Sequence, residues 1–330
     1  MIIACGEALI DMVPGKIPGE KGCRDIYEPC PGGSPYNTAI AAGRILGTEQ
    51  GVPRTAFLSR LSRDFFGDLL ADNLERNHVS TALSVRSGDN TALAFVKLEA
   101  GKEPAYIFYI RGTADRGLAP SDIPPSLPPG TDCILFGSIS LTMEPSAATI
   151  ENFILRESSR EDGPVISHDP NVRPVMIENR EAYVRRFESW VRSSGIVKIS
   201  SADFEFIYPG AGLEKSMEKI LSLGPRLLAV TLGKDGALAL LRTSGGGLIR
   251  VNAPAVDLPV ADTIGAGDTF HGALLAWLEM NGRMSRNALA GITEGELREA
   301  LCFANKAASI VCSRKGANPP TLKEIEELRP

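Results

Sequence analysis

The 330-residue chain sets 35 Lys+Arg against 40 Asp+Glu, a net charge of −5, with 43% hydrophobic and 23% charged residues. This is the composition of an ordinary globular chain, long enough for one large α/β unit with an accessory piece, and it argues against non-specific nucleic-acid binding, which draws on a basic surface. No apolar run approaches the ~20 residues that cross a bilayer, and the N-terminus lacks a basic stretch followed by a long apolar core, so a cytoplasmic protein without membrane partners is expected. Six cysteines, at 5, 23, 30, 133, 302 and 312, contain no C-x-x-C pair and read as reduced thiols, with Cys23 and Cys30 as the one candidate bridge.

In chain order, 1–5 is a β-favouring apolar run that delivers Gly6, Glu7 and then Asp11 at its carboxyl end, where open α/β sheets contact ligands. Asp11 suits a polyhydroxy substrate, since one carboxylate accepts from two neighbouring hydroxyls; a solvated turn residue is the alternative. Prolines 14, 18, 29 and 31 break 12–31 too often for a helix. Gly32 and Gly33 permit close backbone approach to a ligand, Asn37 offers both donor and acceptor, and a small-residue helix follows over 38–46. A strand over 55–58 and a helix over 67–77 repeat the pattern.

Segments 91–97 and 105–110 read as two strands of a small one-sided sheet, joined through 99–104 and completed by 12–31 into a lid. Arg111 at its end either reaches over the substrate or forms a surface ion pair. The chain returns to the main sheet at 132–137, and a helix over 145–157 leads to a strand at 165–167. That strand projects His168, Asp169, Asn171 and Arg173, and the planar fork of Arg173 suits an anionic group. His168 reads as a structural neighbour rather than a base. The next strand, around 197–199, runs into a helix starting at Ser200 or Ser201. Asp203 and Glu205 there are either water-mediated Mg²⁺ contacts or helix-start charges. An apolar strand over 227–232, with a hairpin partner at 237–241, and a final helix over 294–312 complete the pattern.

Between them lies Asp262-Thr263-Ile264-Gly265-Ala266-Gly267-Asp268-Thr269-Phe270, followed by an apolar run over 273–280. Gly265 and Gly267 strip side chains from a turn entering a helix, so unpaired N–H groups face outward at its positive end and form an anion site. Asp268, ionised near its ordinary pKa of about 3.9 and kept so by that helix end, is placed to accept a proton from a substrate hydroxyl; a simple helix cap is the alternative. A dinucleotide fingerprint would need glycine where Phe270 stands, and no Gly-Lys-Ser/Thr triplet completes a Walker loop.

The 262–270 stretch resembles the C-terminal signature of the ribokinase-like (PfkB-type) sugar kinases, and Gly32-Gly33 with Asn37 resembles their N-terminal one. Gly6-Glu7 with Asp11, Asp169-Pro170-Asn171-Val172-Arg173, Thr231-Leu232-Gly233 and Arg314-Lys315-Gly316-Ala317 follow in the family's order, with details most like fructokinases. The resemblance implies a ribokinase-like α/β/α sandwich over 1–330 as a single kinase domain, with a mostly parallel central sheet and a β-sheet lid inserted at about 12–31 and 88–116. It implies ATP, Mg²⁺, a sugar substrate and a homodimer through the lid. By motif, Asp268 becomes the base, Gly265, Ala266 and Gly267 the anion hole, and Arg173 a phosphate partner. Asp11, Gly32, Gly33, Asn37, Arg111 and Asn171 hold sugar, while Lys198, Thr231, Gly233, Gly236 and Asn305 line the nucleotide. A potassium site falls at Asp262, Ile264 and Gly316. Two departures stand out: Ser200 and Asp203 occupy positions where relatives often carry Asn and Glu, and Pro320 stands where some supply a serine oxygen. Another sugar specificity, a non-catalytic sugar sensor and a nicotinamide oxidoreductase are the competing readings.

Overall fold

The computed structural model describes residues 1–19, 22–97 and 105–328. Nine strands form the main sheet in the order Leu248–Ala253, Ala237–Arg242, Leu227–Thr231, Ile196–Ser200, Val165–Asp169, Cys133–Gly137, Ile2–Cys5, Thr55–Leu58, Val79–Ser80. Pairing is parallel from Leu227–Thr231 to Val79–Ser80, and the two strands at the other edge are added antiparallel.

Alternation along these strands builds two cores. Ile2 and Ala4, Cys133 and Leu135, and Leu227 and Ala229 face one way, under the helices Ser34–Leu46, Ala266–Met280 and Glu294–Cys312. Ile3 and Cys5, Ile134 and Phe136, and Leu228 and Val230 face the other, under Ser146–Ser158, Arg180–Arg192 and Leu213–Ser222. Strands covered on both faces read as continuous apolar runs, which is why they were legible beforehand.

The first strand sits mid-sheet, with its successor Thr55–Leu58 on one side and Cys133–Gly137 on the other. Strand order therefore diverges there, and the crevice beyond the carboxyl ends is the natural ligand position. Gly272 brings two helices together above this point: a Cβ on it would lie 2.7 Å from both Ala41 Cβ and the Thr38 carbonyl oxygen. That approach sets the start of Ala266–Met280 beside the start of Ser34–Leu46.

The segments expected to form a lid make a second sheet in the order Ala105–Tyr109, Ala92–Lys97, Leu9–Gly19, Gly22–Gly32. The proline-broken stretch is a long antiparallel ribbon with Asp11 opposite Cys30. Proline is tolerated because Leu9–Gly19 pairs with Ala92–Lys97 only from Leu9 to Met12, and Gly22–Gly32 is an edge strand, so the missing N–H groups break no ladder on the open sides. The connection expected over 99–104 lies outside the described residues. A Cys23–Cys30 bridge does not form: Cys30 is a free thiol, and positions 23 and 30 sit on one strand separated by roughly 23 Å of extended chain.

Candidate active site

Gly265 caps the Ala266–Met280 helix in the left-handed region, φ 76°, and the first helical bond runs from Thr269 N to Gly265 O at 2.8 Å. The N–H groups of Gly267 and Asp268 are left without a backbone acceptor. Side chains are excluded from the turn: a Cβ on Gly265 would meet Ala317 Cβ at 2.8 Å, and one on Gly267 would meet Lys198 Nζ at 2.9 Å.

Asp268 points into a buried polar pocket. Its Oδ1 accepts from Ser34 Oγ at 2.6 Å and its Oδ2 from Asn37 Nδ2 at 3.0 Å. Burial pushes its carboxyl above the usual range, partly opposed by those two donors and by the Lys198 charge. The expectation of an ordinary pKa is corrected: burial outweighs the two donors and the lysine charge.

Gly33 is the N-cap of Ser34–Leu46 at φ 110°, and a Cβ there would lie 2.7 Å from the Glu7 carbonyl. A Cβ on Gly32 would lie 2.2 Å from Asp11 Oδ2, so glycine is what lets that carboxylate sit against the lid ribbon. Burial raises the Asp11 pKa to about 7, with the Arg173 charge lowering it and Asp268 raising it further. Arg173 donates from Nη1 to Asn171 Oδ1 at 2.8 Å, and Asn171, at φ 36°, donates its N–H to Asp169 Oδ1 at 3.1 Å. Lys198 Nζ meets Asp169 Oδ2 at 2.8 Å; burial lowers the lysine pKa, but the carboxylate prevails and the net shift is upward.

On the other side of the glycine turn lies a cleft of about 720 Å³. Lys198, Asn171, Thr231, Gly233, Gly236, Asn305, Ala266 and Gly267 all line it, as does Asp203. Val260, Phe270 and Ala308 add an apolar wall that sequence reasoning missed, since each reads as an ordinary apolar residue. Asn305 Nδ2 donates to the Ala253 and Pro254 carbonyls, fixing the segment that borders the cleft.

Two predicted residues are elsewhere. Arg111 is exposed at the end of the lid, outside the cleft lining, and Glu205 is exposed and accepts from Gly210 N at 3.2 Å. Asp203 and Glu205 do not act as a pair. Asp203 belongs to a capping box, Oδ2 accepting from Ser200 N and Oγ, while Oδ1 accepts from Val172 N. Among the described residues no group of three or more His, Cys, Asp or Glu could hold a metal ion. Asp262, Ile264 and Gly316 do come together: the Asp262 carboxylate accepts from Ile264 N at 3.1 Å and Gly316 N at 2.9 Å. His168 is buried against Phe136 and Trp190, as a structural neighbour should be.

Sequence reasoning missed Ser34, whose hydroxyl is as close to Asp268 as any group, and Tyr106, whose phenol feels the charges of Asp11, Arg173 and Asp262. The assembled set is a buried carboxylate able to take a proton, unpaired N–H groups with a lysine and an arginine suited to anionic charge, and an acid and an amide able to bond hydroxyls.

The pfkB family carbohydrate kinase pattern matches residues 6–324. A fructokinase of Rhizobium leguminosarum bv. trifolii is 35% identical over 305 residues, covering 90% of this chain and 86% of that protein. The crystal structure of a Xylella fastidiosa fructokinase with bound ATP superposes with a TM-score of 0.85 at 27% identity, covering 98% and 96% of the two chains. A Vibrio cholerae O395 fructokinase double mutant in its fructose, ADP and potassium ion bound form gives 0.79 at 27% identity, covering 96% and 93%. Among the described residues no helix is long and apolar enough to cross a membrane. With the glycine turn, its aspartate and eight of the nine strands of the main sheet in the matched span, the chain belongs to the pfkB family of carbohydrate kinases.

Proposed function

We propose that this carbohydrate kinase is a cytoplasmic fructokinase, transferring the γ-phosphoryl group of ATP to a hydroxyl of fructose. The observation that carries the reading is Asp268, set between the two unpaired N–H groups of its own helix start and the Asp11 and Asn37 side of the site. Asp268 accepts the hydroxyl proton, and the N–H groups of Gly267 and Asp268, together with Lys198 and Arg173, hold charge on the migrating phosphoryl group. Asp11, Asn37 and the backbone at Gly32 and Gly33 orient the sugar. Thr231, Gly233, Gly236 and the Asn305-held segment flank the nucleotide. Mg²⁺, when bound with ATP, would neutralise phosphate charge, and Asp203, one of two acids lining the cleft with Asp257, would meet it through water. A potassium ion would be held at Asp262, Ile264 and Gly316, where a carboxylate sits beside two chain segments.

The competing sugar specificities are separated by a substrate panel. ADP release is expected to be fastest with fructose, and at least about tenfold slower in kcat/KM with ribose, 2-keto-3-deoxygluconate or adenosine. A larger kcat/KM for any of these would reassign the substrate, and sugar binding with no ADP release would support a sensor.

The small sheet acts as the lid of a single kinase domain, and its outer face supports a homodimer. Ile107 and Tyr109 are 64% and 61% exposed there, and Phe95 forms edge contacts with both Tyr27 and Tyr109. Light scattering is expected to give twice the mass of the chain, and Tyr109→Glu to return a monomer. A monomer in the unmodified protein at micromolar concentration would refute the assembly.

A further inference from the structure

Ser34 belongs to a buried polar chain that runs from Asp268 to Glu7, and the kinase reaction as described does not use it. Its Oγ donates to Asp268 Oδ1 at 2.6 Å, while its N–H donates to Glu7 Oε1 at 3.1 Å. Ser34 is 8% exposed and Glu7 1%. One residue thus hangs between two buried carboxyl groups, one of them the base.

Glu7 is held through both of its oxygens. Its Oε2 accepts from the Ser140 N–H at 3.2 Å and is in hydrogen-bond contact with the Ser140 hydroxyl, while its Oε1 takes the Ser34 N–H. No lysine, arginine or histidine pairs with Glu7 among the described residues, and burial pushes its carboxyl up against the pull of those donors. Glu7 therefore fixes the Ser34 backbone from within the core.

We propose that Ser34 is a positioning residue for phosphoryl transfer, its hydroxyl holding the Asp268 carboxylate in the orientation and ionised state in which it accepts the sugar proton, with Glu7 as the anchor of the Ser34 backbone. The other charged groups that act on Asp268 are Lys198 and Asp169 from the adjoining strands and Asp11 from the small sheet, whose own charge Arg173 favours. All are retained when the serine hydroxyl alone is removed. A hydrogen bond donated to a carboxylate favours its charged form, so its loss raises the pH at which the base becomes available.

The inference rests on Asp268 as the base, and the test keeps the two apart. The rate of a single turnover is followed against pH with fructose and Mg·ATP both saturating, so that titration of Asp11 in the free enzyme does not enter. In Ser34→Ala the acid limb is expected to move up by about one pH unit, with the alkaline plateau and the fructose KM each within about threefold of the unmodified enzyme. Ser34→Thr, which restores the hydroxyl, is expected to bring the limb back. An unmoved limb in Ser34→Ala, whether rates are unchanged or fall equally at every pH, would overturn the role of Ser34 and leave the base assignment standing. Near-normal turnover in Asp268→Asn would remove the base assignment itself.

Discussion

Asp268→Asn is expected to lower kcat by a factor of ~10² to 10⁴ while the KM for the sugar changes little. Asparagine keeps the size of the side chain and one acceptor oxygen, so the Ser34 hydroxyl still has a partner. The Asn37 amide, which now donates to Oδ2, can turn and accept instead. What disappears is the proton acceptor. Two of the groups assigned to the sugar, Asp11 and the backbone at Gly33, are untouched, so affinity should survive where chemistry does not. The same substitution also reads the burial of the carboxylate. Because burial raises the folded pKa of Asp268, its ionisation costs stability: what is present below the unfolded pKa of about 3.9 is lost as pH rises through the folded one. A neutral amide escapes this loss, so the variant should melt at the same temperature as the unmodified protein or higher at pH 8. Turnover within tenfold of normal, measured by coupled ADP release, would assign the proton transfer elsewhere.

Lys198→Met is expected to cost about 3–5 kcal/mol of folding stability, read as a lower urea midpoint at unchanged slope. Lys198 and Asp169 are each 3% exposed and meet at 2.8 Å. Removing the ammonium leaves a carboxylate sealed from water. Neighbouring His271 does not replace it: its Nδ1 is 3.9 Å from Asp169 Oδ2, and burial holds the ring neutral. Adding Asp169→Asn to Lys198→Met should recover most of the stability, because neither partner is then charged. Activity should not return with it, since the ammonium beside the Gly267 turn is still missing. A single variant within about 1 kcal/mol of the unmodified protein would show that Asp169 finds another partner, and would remove the pair as a structural element.

Much of this was legible beforehand because local chemistry carried it. Two glycines before Asp268 require a side-chain-free turn whatever surrounds it, and Ser200 with Asp203 announces a helix start that the structure realises as a capping box. The helix expected over 294–312 forms as its pattern indicated, but it is not the last: a short capped helix, Leu322–Glu327, follows it. Other elements were hidden. The ribbon Leu9–Gly19 and Gly22–Gly32 carries prolines that argue against strands until the open sides of its ladder are known. Arg180–Arg192 is so rich in charge that only its four buried residues, Tyr183, Phe187, Trp190 and Val191, betray the face it packs. Glu205 looked equivalent to Asp203 two residues away, yet helix rotation turns one into the cleft and the other to solvent.

The chemistry available to this protein was settled by residues close together in the chain: a glycine turn, an acid one residue on, and strands apolar enough to be covered on both faces. Periodicity and turn geometry act over a few residues and leave their mark in the order of the amino acids. The working state of the acid was decided only in three dimensions. Ser34, Asn37, Asp169 and Lys198 come from positions 70 to 234 residues away in sequence, and strand order together with the close helix approach at Gly272 brings them around one carboxylate. Burial and hydrogen bonding set how readily that carboxylate takes a proton, and both are properties of the assembled surroundings rather than of the motif.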